Sequence, residues 1–283
     1  MDKQAPTTMY PCIWFDSQAS EAARFYCSVF EQAAIQSENP IVTILEIGGH
    51  KFMLLNGGPR FHPNPTLSFY VICETPAEIA AVWEKLATGG TIMMPLQAYE
   101  WSQQYGWVQD RYGVSWQLTL GSIAENGQKI IPALMYVGEQ FGQAEAALNL
   151  YTGIFPDSAI HFLHRYDDTD ALQKGKIAHG QFSLLGQKFI LMDSGLSHDF
   201  AFTEGLSLVV ECKDQAEIDH YWYKLSEEGY EDQCGWLKDR FGFSWQVVPA
   251  ILGELMSDPV RSGPVTQAFL KMKKFNISQL LQA

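Results

Sequence analysis

The chain contains two copies of one sequence pattern. Gly106–Leu118 (GWVQDRYGVSWQL) returns 129 residues later as Gly235–Val247 (GWLKDRFGFSWQV). Leu67–Val71 (LSFYV) returns 139 residues later as Leu206–Val210 (LSLVV). Loops tolerate changes of length better than strands do, so matching motifs with a drifting spacing are typical of a duplicated domain. The chain is therefore expected to form two similar folded units.

The 283 residues suffice for two domains, each able to bury its own core. We predict a first domain at residues 8–122, a second at 129–249 and a helical tail at 250–283. The net charge of −13 disfavours a nucleic-acid partner, because phosphate binding needs clustered lysine and arginine. The sequence has no stretch apolar enough for a membrane span and no signal-peptide core, so we expect a cytoplasmic protein.

Each half of a repeat shows a strand, then a helix, then further strands. In the first half, the apolar residues of the helix recur at helical spacing, which predicts one buried face. These residues are Ala22, Phe25, Tyr26, Val29 and Phe30. Thr75 and Glu78 form a capping pair that starts the helix of the second half. The pattern indicates an α+β fold in which each domain has two βαβββ modules. Helices with one apolar face must cover one side of the sheet, which leaves the other, curved side as a cleft.

The SWQ motif at the end of each repeat places side chains on both faces of a strand. We expect Trp116 and Trp245 to face the helices as core residues. Because side chains alternate along a strand, Gln117, Gln246 and Ser244 then face the cleft. These three residues are candidates for ligand binding.

The second repeat has the more polar cleft. His179, Gln181 and Ser183 alternate along one strand and so share a face. A neutral imidazole can act as an acid, a base or a hydrogen-bond partner, which makes His179 the candidate catalytic residue and Gln181 a candidate ligand-binding residue. His179 as a partly exposed structural histidine is the alternative. Asp193 on the next strand is placed to orient the imidazole, or else to form a turn.

The first repeat carries a longer connection before its final hairpin. Residues 91–105 separate Gly90 from Gly106, and they include Tyr99, Trp101 and Tyr105. We predict an aromatic loop that either covers a flat ligand, with Tyr99 and Trp101 in contact with it, or packs against the partner domain.

Four segments of the sequence carry a family resemblance. They are Gly142–Ser158 (GQAEAALNLYTGIFPDS), the strand pair at His179–Lys188 (HGQFSLLGQK), the hairpin CGWLKDRFGFSWQ and the tail Met272–Ala283 (MKKFNISQLLQA). The chain resembles the PhnB-like family, also called 3-demethylubiquinone-9 3-methyltransferase-like, of the vicinal oxygen chelate superfamily. That superfamily includes glyoxalase I, extradiol dioxygenases and bleomycin-resistance proteins. The resemblance implies tandem glyoxalase/bleomycin-resistance-like domains, each with a curved, mostly antiparallel sheet and helices on its outer face.

The resemblance also implies four positions at which metal-using relatives place ligands. The first falls on Pro11 and Pro132, and the last on Gln117 and Gln246. The remaining two fall on Thr66 or Leu67 with Gly205 or Leu206, and on Met53 or Leu54 with Ile190 or Leu191. Divalent ions need converging nitrogen or oxygen donors. Proline offers none, so we predict no metal and no other cofactor in either copy.

Three functions stay open from the sequence. The first is a metal-independent protein that binds an aromatic or amphipathic small molecule. The second is a metal-assisted or His179-assisted isomerase, lyase or dioxygenase. The third is the methyltransferase of the family's name, which is disfavoured because no glycine-rich turn joins a strand to a helix. Whether the chain is an enzyme is left open. We expect a small-molecule ligand, no nucleic-acid or membrane partner, and either a pseudo-dimer of the two domains or a homodimer with exchanged strands.

Overall fold

The computed structural model describes residues 7–168 and 171–283. These residues form two compact units, one at 11–206 and the other at 7–10 with 207–283. Both units draw on both repeats, and the domain bounds 8–122 and 129–249 stay a prediction. Among the residues so described, no helix is long and apolar enough to cross a bilayer.

The first module begins with β1 and lies mainly in the larger unit. β1 pairs in parallel with β4, and β4, β3 and β2 follow one another in antiparallel pairs. The strand β2 is mostly exposed, and its sequence AAIQSE has one large apolar residue, so its sequence does not show the alternation of a half-buried strand. The elements are β1 (Thr8–Phe15), α1 (Ala19–Val29), β2 (Ala33–Glu38), β3 (Val42–Ile47) and β4 (His50–Asn56).

The second module of the first repeat and the first module of the second repeat join in one eight-stranded sheet, which lies wholly in the larger unit. The former supplies β5 (Leu67–Cys73), α2 (Pro76–Ala87), β6 (Thr91–Tyr99), β7 (Ser102–Gln109) and β8 (Ser115–Leu120). The latter supplies β9 (Ile130–Tyr136), α4 (Ala144–Ile154), β10 (Ala159–Arg165), β11 (Ile177–Leu184) and β12 (Gln187–Asp193). The short helix α3 (Ile123–Asn126) connects the two modules, and a 3₁₀ turn at Gly138–Gln140 precedes α4.

The strand order of this sheet is β10-β11-β12-β9-β5-β8-β7-β6. The repeats meet at the antiparallel pair of β5 with β9. The pairs β12 with β9 and β5 with β8 are parallel, and the other neighbours are antiparallel. The expected α+β class with a mostly antiparallel sheet is therefore confirmed, and one continuous sheet takes half of its strands from each repeat.

The smaller unit contains the last module and the tail. Its strand β13 pairs in parallel with β16, and β16 and β14 flank β15 in antiparallel pairs. Asp214 accepts a hydrogen bond from the Glu217 amide and so caps α5. The elements are β13 (Leu206–Cys212), α5 (Gln215–Ser226), β14 (Tyr230–Glu231), β15 (Trp236–Lys238), β16 (Ser244–Pro249), α6 (Leu252–Ser257), α7 (Ser262–Phe269) and α8 (Ile277–Gln282).

Aromatic side chains of the first repeat fill the core between α1 and the sheet. Trp116 is fully buried, and its ring centroid lies 5.3 Å from Tyr26, 5.2 Å from Phe30 and 5.2 Å from Phe69. The prediction that this tryptophan faces the helices is confirmed. Gln117 then lies on the opposite face of β8, as strand alternation requires.

The prediction that residues 91–105 form a loop is wrong. Residues Thr91–Tyr99 and Ser102–Gln109 form the antiparallel hairpin β6–β7, with a tight turn at Glu100-Trp101. Three register shifts interrupt the pairing of this hairpin, so its side chains do not follow the strict alternation that identifies a strand.

Candidate functional site

The eight-stranded sheet of the larger unit curves strongly around its concave face. Tyr70 on β5 and His179 on β11 lie three strand positions apart, which in a flat sheet is about 14 Å. Their ring centroids are only 6.4 Å apart. The curvature therefore brings residues of the two repeats together in one cleft.

One wall of this cleft is a continuous series of hydrogen bonds across β7, β8, β5 and β9. The Tyr105 hydroxyl donates to Gln117 Oε1 at 2.7 Å, and Gln117 Nε2 donates to Ser68 Oγ at 2.7 Å. Ser68 Oγ in turn donates to the Ala133 carbonyl at 3.5 Å. Gln117 is only 3 % exposed, so this network fixes the orientation of its carboxamide.

The opposite wall is the row of His179, Gln181 and Ser183 on β11. Phe182 between them packs on Phe189 away from the cleft, which leaves the three polar side chains on the concave face. The cross-strand partner of Gln181 is Ile190 on β12. The predicted alternation of these residues on one face is confirmed.

Between the two walls lies a buried apolar layer. It consists of Ile72, Ile131, Ala133 and Ile190, each at most 1 % exposed. Tyr70, Ile123 and Met192 are only partly buried and pack against this layer. A ligand in the cleft would therefore contact the second set of side chains, Tyr70 above all.

The β6–β7 hairpin carries aromatic rings at the rim of the cleft. Tyr99 and Trp101 stack with centroids 4.9 Å apart and an interplanar angle of 20°, and Tyr105 lies 5.9 Å from Trp101. Trp101 is 64 % exposed. A pocket of about 570 Å³ opens beside the hairpin, and its lining includes Tyr70, Glu74, Trp101, Ser102 and Thr119. This volume suits a ligand of a few rings.

His179 sits among aromatic rings in the cleft. Its imidazole stacks on Phe162 with centroids 5.5 Å apart and an interplanar angle of 10°. Burial, and to a lesser degree the nearby His164, lowers the pKa of His179 below its usual value. The neutral ring therefore predominates at pH 7, and a neutral ring can both donate and accept a hydrogen bond.

Asp193 lies at the far end of β12, where it anchors the backbone. Its Oδ1 accepts hydrogen bonds from the amides of Gly142 and Ala144, at 2.7 and 3.2 Å, and its Oδ2 accepts from the amide of Ile177 at 3.1 Å. The carboxylate thereby ties the start of α4 and the start of β11 to β12. The hydrogen bonds of this carboxylate are thus structural, and they do not involve the His179 ring.

Gln246 and Ser244 lie in the smaller unit, on β16. Gln246 Nε2 donates to Ser207 Oγ at 3.0 Å, which repeats the pair of Gln117 and Ser68. Ser244 Oγ is buried and has no hydrogen-bond partner among the described residues. The larger unit thus brings together Gln117, Gln181, His179, Tyr99 and Trp101, but not Gln246 or Ser244.

The family resemblance implies metal-ligand positions on β5, β8, β9 and β12, and the strand register shows which residue of each strand faces the cleft. In the larger unit they are Ser68, Ala133, Ile190 and Gln117. Ala133 rather than Pro132 faces the cleft on β9, and Ser68 rather than Leu67 faces it on β5. The shift by one residue arises because Pro132 pairs with Phe69, whose ring contacts Trp116 on the helix side.

These four residues do not fit a divalent metal ion. They offer one hydroxyl and one carboxamide, and both groups are engaged in the hydrogen-bonded wall. Divalent ions are usually held by imidazole, thiolate or carboxylate groups. In the part of the chain that the structure describes, no three His, Cys, Asp or Glu side chains gather closely enough to bind a metal.

Two residues of the cleft were missed by the sequence analysis. Tyr70 is the aromatic residue on the concave face of β5, and Phe162 on β10 stacks on His179. Because side chains alternate along a strand and Phe69 faces the helices, its neighbour Tyr70 could have been predicted to face the cleft. Phe162 could not be found in this way, because a register shift between β10 and β11 precedes it.

Comparisons with known proteins agree with this architecture. The family model described as 3-demethylubiquinone-9 3-methyltransferase matches residues 7–119 and 128–248. Glyoxalase I from Zea mays is 9 % identical, with a TM-score of 0.57 over 89 % of this chain and 97 % of its own. This likeness shows a shared fold.

Two shorter solved structures each match about two fifths of this chain. A PhnB protein from Bacillus cereus, described provisionally as a 3-demethylubiquinone-9 3-methyltransferase, is 38 % identical over 40 % of this chain and 98 % of its own, with a TM-score of 0.38. A glyoxalase-related enzyme from Fulvimarina pelagi is 22 % identical over 39 % of this chain and 86 % of its own, with a TM-score of 0.32. The comparison with curated proteins gives no match.

Proposed function

We propose, given that this chain belongs to the 3-demethylubiquinone-9 3-methyltransferase family, that the cleft of its larger unit binds a small aromatic metabolite without a bound metal ion. The observation that carries the proposal is the residue set at the four central positions. Ser68 Oγ accepts a hydrogen bond from Gln117 Nε2, and Gln117 Oε1 accepts one from the Tyr105 hydroxyl. The side chains of Ala133 and Ile190 have no atom that could bind a metal ion.

The surroundings of these positions support an aromatic ligand. Tyr70 and Trp101 line the pocket of about 570 Å³. Flat rings gain from stacking on such side chains as well as from the burial of apolar surface. The proposal therefore assigns affinity to ring contacts and hydrogen bonds rather than to coordination of an ion.

The binding test uses N-phenyl-1-naphthylamine, a neutral probe whose fluorescence rises in apolar sites. Gly121 lines the pocket, and a β-carbon there would meet only Ile72 at 3.5 Å, so Gly121→Phe would place a ring in the pocket. Gly153→Phe on the exposed face of α4 is the matched control, because no atom lies within 4 Å of a β-carbon at that position. We expect saturable binding that Gly121→Phe abolishes and Gly153→Phe preserves.

Two results would refute the proposal. One is a probe titration that does not saturate, or that Gly121→Phe leaves unchanged. The other is a stoichiometric amount of Zn²⁺, Ni²⁺, Mn²⁺ or Fe²⁺ in protein purified without chelators, measured by mass spectrometry of the elements.

An enzyme that uses His179 is the second candidate. The neutral imidazole contacts Tyr70 in the cleft, where it could remove or donate a proton. His179→Gln would then abolish turnover while the affinity for the probe stays within about twofold. Unchanged turnover of any substrate found would exclude this role. The methyltransferase activity in the family's name has no comparable support, because Gly48-Gly49 and Gly89-Gly90 lie in a hairpin and after a helix.

A further inference from the structure

The β11 wall of the cleft carries polar groups that the protein itself leaves unpaired. Gln181 is 8 % exposed and Ser183 is 7 % exposed, yet neither side chain forms a hydrogen bond with a described residue. Among the described residues, the side-chain atoms that are buried from solvent and lack a hydrogen-bond partner are Thr43 Oγ1 and Ser244 Oγ, so the polar atoms of Gln181 and Ser183 are not buried from solvent. The amide of Gln181 and the hydroxyl of Ser183 therefore still reach the cleft surface.

An unpaired amide at this depth needs a partner from outside the protein. Most buried polar side chains in folded proteins are hydrogen-bonded, and leaving one unpaired costs free energy. The contrast with Gln117 is direct, because Tyr105 and Ser68 engage both ends of that carboxamide. The side-chain hydrogen bonds of the wall at β7, β8 and β5 are thus satisfied within the protein, whereas those of the wall at β11 are satisfied only when a ligand or water occupies the cleft.

The surroundings of Gln181 restrict the chemistry of that partner. Its cross-strand neighbours are Ile190 and Phe162, which are apolar. Lys188 lies on the same face of β12, but it is opposite Ser183 and not opposite Gln181. A carboxamide presents one acceptor and one donor side by side in a plane. The complementary group is neutral and planar and also has one donor beside one acceptor.

We infer that the ligand is a flat ring system with a lactam-type edge, which pairs with Gln181 while the ring lies against Tyr70. This inference rests on the proposed function, since it names the ligand class of the same cleft. The two contacts are compatible in position. The Tyr70 ring lies 6.4 Å from the ring of His179, and His179 and Gln181 share a face of β11.

The test measures displacement of bound N-phenyl-1-naphthylamine by isoquinolin-1(2H)-one, a two-ring lactam. Its N-methyl derivative has the same ring and carbonyl but lacks the N–H donor. We expect the lactam to displace the probe at a concentration about tenfold lower than the N-methyl derivative, the effect of one or two neutral hydrogen bonds. Gln181→Leu should remove this difference. Gln267→Leu on the exposed surface of α7 should keep it.

The outcomes separate this inference from the proposed function. If the probe binds and Gly121→Phe blocks it, but the two lactams compete equally in the wild-type protein, the cleft binds small molecules and the lactam inference is wrong. The inference is also wrong if naphthalene-1-carboxylate competes more tightly than the lactam, because Lys188 would then select an anion. If the probe does not bind at all, the proposed function fails, and this inference fails with it.

Discussion

Asp110 supports the hairpin that places Gln117 in the cleft, and its removal should destabilise the larger unit strongly. The residue is 4 % exposed, and its carboxylate accepts four hydrogen bonds. Oδ1 accepts from the amides of Tyr112 and Val114 at 2.8 and 3.1 Å. Oδ2 accepts from the Tyr26 hydroxyl and from the Trp116 indole, each at 2.9 Å. Burial raises the pKa of this carboxyl in spite of the four donors.

The magnitude follows from the number of donors that lose their acceptor. Asp110→Ala removes the acceptor of four hydrogen bonds, three of them buried and one partly buried, at about 1 kcal/mol each. We therefore expect a loss of about 3–5 kcal/mol in the free energy of unfolding. Asp110→Asn can keep its oxygen at the Oδ1 position. It then loses only the bonds to Tyr26 and Trp116, and we expect about half of that cost.

The assay is urea denaturation followed by tryptophan fluorescence, together with hydrogen exchange of the hairpin at 106–118. The exposed Asp199→Ala is the control and should change the free energy of unfolding by less than about 0.5 kcal/mol. A double-mutant cycle adds Tyr26→Phe, which removes one donor. The two changes should couple by about 1 kcal/mol, because both act on the same hydrogen bond.

The reasoning would be refuted by an Asp110→Ala variant whose stability and hairpin exchange match those of Asp199→Ala. Additive effects of Asp110→Ala and Tyr26→Phe would refute the specific claim that the hydroxyl donates to this carboxylate.

Two further predictions concern the cleft and a helix end. An NMR titration should give His179 a pKa below 6.5, because burial and His164 disfavour the charged form of its ring. The neutral ring then contributes its full stabilisation above pH 6.5, and this contribution is lost as the pH falls through the folded-state pKa. A measured pKa at or above 6.5 would contradict the prediction. Glu228 after α5 has φ of 60°, where the first repeat has Gly89 with φ of 75°. Glycine favours this conformation, and the exposed Glu228–Arg240 ion pair contributes little to stability. In urea denaturation, Glu228→Gly should therefore raise the free energy of unfolding by about 0.5–1 kcal/mol, and Gly89→Ala should lower it by about 1 kcal/mol. A Glu228→Gly variant that is less stable than the wild type would contradict the argument.

Local patterns were sufficient to predict much of the fold. The Thr75–Glu78 cap begins α2 as expected, with the Glu78 amide donating to Thr75 Oγ1 at 3.1 Å. The alternation of Trp116 and Gln117 between core and cleft also follows from sequence alone. Both features depend on residues close together in the chain, where spacing determines geometry.

Features that depend on distant contacts could not be predicted in the same way. The pairing of β5 with β9 unites the two repeats in one sheet, and no local pattern specifies which module pairs with which. The hydrogen-bond state of Gln117 and Gln181 is another example. Both are glutamines at cleft positions, but only the structure shows that Gln117 is paired with Tyr105 and Ser68.

A crystal structure of the protein with isoquinolin-1(2H)-one bound would test the central claim most directly. The account predicts the ring against Tyr70 in the cleft of the larger unit and the lactam edge within hydrogen-bond distance of Gln181. A ligand bound elsewhere on the protein, or a metal ion coordinated by Ser68 and Gln117, would contradict it.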